Sequence, residues 1–158
     1  GVIYGAQAAY PYLKASAPGS CLINTASAAA LYGMANQSLY GATKAAVRSL
    51  TESLDAEWAP EGIRVRSLMP SFIDTPLLQN TPNRKRNAVN RDAVVEAGLE
   101  FTPVEEVAEA AWQAVTGDKL HYLVGKTARR LRFIAKWMPG KLRTRARLLA
   151  EAHERTAR

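Results

Sequence analysis

An α/β fold built around a parallel sheet is what this sequence predicts, and three observations predict it. Helical and extended patterns alternate along the chain. The extended stretches are short apolar runs bounded by turn residues, the pattern of buried strands. Only three such runs precede a basic C-terminal stretch, which is few for a parallel sheet covered on both faces. The pattern therefore reads as the second half of a larger fold.

In chain order, residues 2–15 (VIYGAQAAYPYLKA) read as a helix with Pro11 toward its end. Pro18-Gly19 marks a turn, and CLIN (21–24) follows as a buried strand. Residues 25–38 are small and polar, contain Gly33 and Asn36, and read as a loop. A helix is expected from Leu39 to Trp58, ended by Pro60-Glu61-Gly62. IRVRSLM (63–69) is a second strand, stopped by Pro70. Residues 74–101 are charge-rich, include Pro82, and are expected to form an exposed, mobile insertion. In TPVEEVAEAAWQAVTG (102–117), Thr102 can cap a helix, Pro103 suits its first position, Glu105 completes the cap pattern and Gly117 suits its end. HYLVG (121–125) is the third strand. The domain is thus expected over residues 1–125, with a separate basic helical tail over residues 126–158.

Composition narrows the class. A hydrophobic fraction of 47% and a charged fraction of 22% exclude whole-chain disorder. A single cysteine, Cys21, excludes an intrachain disulfide and points to a reducing, cytoplasmic setting. Neither a spanning apolar run nor a signal-peptide pattern is read in the sequence. Of the net charge of +7, residues 126–158 carry +9 and the preceding 125 residues −2, so the basic character belongs to the tail. His121 lies in an apolar strand pattern and reads as structural, and His153 has no partner at ligand spacing, so no metal site is expected. Cys21 reads as inert in its strand, Trp58 and Trp112 as core, and NRKR (83–86) as a solvated loop.

Chemistry is concentrated in SLYGATKAAV (38–47). Tyr40 and Lys44 are four residues apart at the start of a helix, so their side chains leave one face. A phenol titrates near ~10, and a neighbouring ammonium favours the phenolate. Tyr40 could then exchange a proton with an alcohol or carbonyl oxygen. Ser27, thirteen residues upstream, follows the strand CLINT, while Pro70, Ser71 and Thr75 follow the next strand. Ligands of open α/β sheets bind beyond such carboxyl ends. Ser27 is suited to hold a substrate oxygen by a hydrogen bond.

These segments together resemble the short-chain dehydrogenase/reductase family. YGATK matches its Tyr-x-x-x-Lys motif, NTAS its strand-end serine motif at the family spacing, and PSFIDT its Pro-Gly-x-Ile-x-Thr segment. TPVEEVAEAAW and HYLVG resemble its last core helix and strand, so the resemblance covers roughly residues 1–125. It implies the C-terminal half of a Rossmann-type, doubly wound parallel sheet and reversible hydride transfer between NAD or NADP and a small-molecule alcohol or carbonyl. Ser27, Tyr40 and Lys44 would be catalytic, with Tyr40, Lys44, Pro70, Ser71, Ile73 and Thr75 contacting the cofactor. A three-strand sheet of this kind is expected to leave an apolar edge and helix faces uncovered, which invites association with another chain, so a homo-oligomer is expected. The chain departs from the family at Ser71, where glycine is usual, and at Arg66, where asparagine is common. The family's Gly-x-x-x-Gly-x-Gly turn does not occur in it, so the chain as given is expected to be inactive alone. Leu77 and Leu78 fall where the family covers its substrate.

In the tail, Leu131, Ile134, Ala135 and Met138 form one helical stripe, with Phe133 and Trp137 beside it and arginines around them. Such a helix suits either an anionic membrane surface or a neighbouring subunit. Nucleic acid is not expected as a partner, because no reader motif accompanies the charge. The alternative to an enzyme is a fold-retaining, non-catalytic binding protein, or a membrane-surface protein acting through the tail.

Overall fold

The computed structural model describes residues 1–76, 94–95 and 98–156, with side chains left out at residues 149 and 152–156. Most of the expected insertion, with Leu77, Leu78 and residues 83–86, lies outside the described residues. The ordered elements are α1 (Val2–Ala15), β1 (Cys21–Thr25), α2 (Ser38–Trp58), β2 (Arg64–Pro70), α3 (Val104–Thr116), β3 (His121–Val124), α4 (Lys126–Trp137) and α5 (Pro139–Thr156). The three strands form one sheet in the order β1-β2-β3, parallel throughout, with Cys21 opposite Arg64 and Ser67 opposite His121. The expected α/β class and parallel sheet are therefore what the chain adopts.

Strand alternation divides the core into two layers. Leu68, Tyr122 and Val124 pack with Ala114 of α3, while the neighbouring Met69 packs with Ala26 and Ala30 and against Val47 of α2. Adjacent strand residues point to opposite faces, so α2 covers one face and α3 the other. At the foot of the sheet, the Tyr10 ring of α1 packs at a 39° tilt against the half-buried Trp58, with centroids 4.9 Å apart. The Tyr10 hydroxyl donates to both oxygens of Glu61, at 2.7 and 2.9 Å. Gly62, at φ 77°, makes the left-handed turn that starts β2.

Several expectations are corrected. Thr102 does not cap α3: Pro103 is the N-cap and has no side-chain cap bond. Thr102 instead pairs with Ile73 in an isolated parallel bridge, with its hydroxyl buried and unpartnered. Trp112 is 64% exposed rather than core, because the inward face of α3 is taken by Val107, Ala110, Ala111 and Ala114. The expected loop 25–38 contains a short 3-10 turn over Ala28–Ala30. The tail is two helices, not one, because Met138 leaves helical geometry (φ −139°, ψ 51°) just before Pro139.

Arg66, in place of the common family asparagine, is buried at 7% exposure and pairs with Asp55 of α2 at 2.5 Å. The same Asp55 oxygen accepts the Val65 amide at 2.9 Å. Removing the acid leaves a guanidinium stranded under the helix, so Asp55→Ala is expected to destabilise the fold by about 3 kcal/mol. Urea denaturation checks this, and a Asp55→Leu/Arg66→Met pair is expected to recover most of the loss.

Candidate active site

Ser27 sits just past the carboxyl end of β1, 8% exposed, in extended geometry (φ −168°, ψ 160°). It caps the 3-10 turn: its oxygen accepts the Ala29 amide at 3.2 Å. That bond uses a lone pair and leaves the hydroxyl proton available for an incoming oxygen.

Tyr40 stands in the first turn of α2 and is 49% exposed. Lys44 follows on the same face, its Nζ 5.8 Å from the centroid of the Tyr40 ring. The Lys44 ammonium donates to the Thr25 carbonyl at 3.1 Å, which ties α2 to the strand end that carries Ser27. Two of its three N–H donors remain for other acceptors. Sequence reasoning missed Thr25, and no side-chain pattern marks it, because its part is played by a backbone carbonyl.

The remaining expected residues form a second group at the end of β2, organised by β3 and Thr102. Pro70 is the last residue of β2, and the Ser71 amide donates to the Val124 carbonyl at 3.2 Å. Around the Ile73–Thr102 bridge, the Thr102 amide donates to Phe72 at 2.8 Å and the Asp74 amide to Thr102 at 3.0 Å. Thr75, two residues further, is half-buried. Among the described residues the sole non-glycine with positive φ is Asn36. The backbone at Ser71 therefore has no need of the left-handed region that would favour the family's glycine.

Beneath this edge lies a chain with the outline of a hydrolase triad. Ser67 Oγ is 2.8 Å from His121 Nδ1, and His121 Nε2 is 3.0 Å from Glu52 of α2, which also pairs with Arg48 at 2.9 Å. Ser67 is fully buried in the central strand, so no substrate reaches it, and the chain is a strut between β2, β3 and α2. Burial pushes the His121 imidazole below its ordinary value, against the opposing pull of Glu52. Burial likewise pushes the half-buried Cys21 thiol up, away from the reactive thiolate. Among the described residues no group of three or more His, Cys, Asp or Glu is placed to hold a metal.

The fold and edge geometry define a parallel α/β half-sheet with hydroxyl, phenol and ammonium groups at its carboxyl end. The short chain dehydrogenase family model matches residues 1–86, more than half of the chain, and the protein belongs to that family. It is similar to a tropinone reductase homologue of Arabidopsis thaliana, 38% identical over 103 residues that cover 65% of this chain and 36% of that protein. It also resembles (-)-trans-carveol dehydrogenase of Rhodococcus erythropolis, 42% identical over 80 residues, covering 51% of this chain and 29% of that one. Among solved structures, a short chain dehydrogenase from Burkholderia cenocepacia in complex with NADP superposes with a TM-score of 0.70 at 26% identity, over 89% of this chain and 52% of that one. The chain spans about a third of the length of these two curated relatives, 36% and 29%.

The depressed His121 pKa gives a pH prediction. The unfolded imidazole takes up its proton near 6.5 and the folded one only at lower pH. Stability is therefore complete above that value and is lost as pH falls from the unfolded toward the folded pKa, by at most about 1.4 kcal/mol per unit for one proton. Denaturation midpoints from about pH 7.5 to 5 should show this slope, and it should flatten in His121→Gln.

Proposed function

We propose that this chain is the proton-transfer half of an oxidoreductase that interconverts an alcohol and a carbonyl group using NAD or NADP. The observation that carries the reading is the Lys44–Thr25 bond, which gathers Tyr40, Lys44 and the Ser27 strand end at one edge of the sheet. The groups there are neutral and cationic donors, a set suited to ribose hydroxyls, a carboxamide and a substrate oxygen. When bound, the nicotinamide supplies or accepts the hydride. Tyr40 Oη moves the accompanying proton to or from the substrate oxygen, and the Ser27 hydroxyl holds that oxygen by donating to it. Lys44 positions the cofactor ribose with its free N–H groups. Pro70, Ser71, Ile73 and Thr75 frame the nicotinamide side from the end of β2.

The family membership and the NADP named for the Burkholderia relative support this reading. We assign the grip on the adenosine and diphosphate to a part of the fold beyond these residues. Apolar side chains at Ile3, Tyr4, Tyr12 and Leu39, 58–83% exposed, are consistent with coverage by further chain or a second subunit. A cytoplasmic homo-oligomer is the proposed state.

In the full-length protein, Tyr40→Phe should lower turnover at least about 100-fold, the scale of a lost general acid–base group. Cofactor affinity in the same variant should stay close to that of the parent. Steady-state rates and a cofactor-fluorescence titration check both, and undiminished turnover refutes the assignment. Lys44→Ala should weaken cofactor binding as well as turnover; unchanged affinity refutes its ribose contact.

A further inference from the structure

The tail helix α4 turns one apolar stripe inward and a different one outward. Ala128 is buried and Leu131, Ile134 and Ala135 are half-buried, on the side where α4 meets β3. Phe133 and Trp137, one turn apart, are on the opposite side, 57% and 65% exposed. Their neighbours on that side are Lys126, Arg129, Arg130 and Lys136, all exposed. Lys136 Nζ lies 4.8 Å from the Trp137 ring centroid. Helix α5 continues the field with Lys141, Arg143, Arg145 and Arg147, exposed as well. In sequence the tail has eleven cations against Glu151 and Glu154.

We propose that the Phe133–Trp137 ridge and its flanking cations dock the protein peripherally on an anionic lipid surface. Three features select this occupant. The ridge is the convex outer side of a helix whose inner side is already packed, so docking requires no unpacking of the domain. Aromatic rings beside Lys and Arg match the boundary between acyl chains and anionic headgroups, where rings enter and cations stay with the phosphates. The charge over both helices is predominantly positive, ten cations against Glu151 and Glu154, and complements an anionic sheet better than a mixed protein rim. A nucleic acid would need slots or stacking platforms along a groove, and the ridge projects instead. No described helix is long and apolar enough to cross a membrane, so contact of this kind is peripheral.

The test is co-sedimentation of the full-length protein with vesicles of phosphatidylcholine alone and of phosphatidylcholine mixed with phosphatidylglycerol. The proposal expects binding to the mixed vesicles only, lost as salt shortens the screening length from ~8 Å toward ~3 Å. Each cation at such a surface is worth roughly five-fold in affinity, so Arg129→Gln/Arg130→Gln/Lys136→Gln should lose about 100-fold. Phe133→Ser/Trp137→Ser should also weaken binding while leaving the charge unchanged. Both changes lie on an exposed face, so unaltered circular dichroism and cofactor binding exclude misfolding. In a background where every other tryptophan of the full-length protein, Trp58 and Trp112 among them, is changed to Phe, Trp137 fluorescence should shift to the blue on mixed vesicles and be quenched by brominated lipid. Equal binding to both vesicle types, or none, overturns the proposal. So does a Trp137 blue shift that follows protein concentration or added oligo(dT) without lipid, which would assign the ridge to a subunit contact or to nucleic acid. None of these readouts depends on the oxidoreductase activity.

Discussion

Asn24 on β1 donates to Thr51 at 3.1 Å, Arg66 on β2 reaches Asp55 at 2.5 Å, and His121 on β3 reaches Glu52 at 3.0 Å. Each strand of the sheet thus sends one polar side chain to a single stretch of α2. Apolar burial alone fastens this helix weakly, since its fully buried residues are Gly41 and Thr51. A buried polar group tolerates little displacement, because losing its partner costs its full desolvation. The polar links therefore set the position and register of α2 more sharply than its packing does.

That fastening is transmitted to the candidate site. Residues 51–55 lie roughly two turns along the helix from Lys44, and a helix over that distance is rigid. With its middle held by all three strands, its first turn is delivered to the strand ends, where Lys44 closes the Thr25 contact. Tyr40 remains half-exposed, while Ser27 is held by the turn it caps. Arg66 belongs to the same arrangement: the longer side chain crosses to the helix and brings Asp55 with it.

The tail follows a different logic. The domain claims one side of α4 through small and half-buried residues, and the break at Met138-Pro139 separates α5 from it. The opposite side retains two large rings together with Lys126, Arg129, Arg130 and Lys136. One helix therefore carries two amphipathic faces, and a helical wheel of the sequence does not say which of them the domain covers.

The sequence by itself determined the α/β class, the order of its elements and the Tyr-x-x-x-Lys pair, because periodicity, turn residues and helix spacing are local properties. It also located Ser27 and Ser71 at strand ends, since a strand end is marked by the residues that stop it. Only the tertiary structure decided that Thr102 bridges Ile73 instead of capping α3, that Trp112 faces outward, and that His121 is a strut between β2, β3 and α2. The same holds for the Thr25 carbonyl under Lys44 and the outward turn of Phe133 and Trp137. Each of these depends on which neighbour reaches a group first, between residues distant in the chain, and hydrophobic pattern and spacing carry no record of that competition.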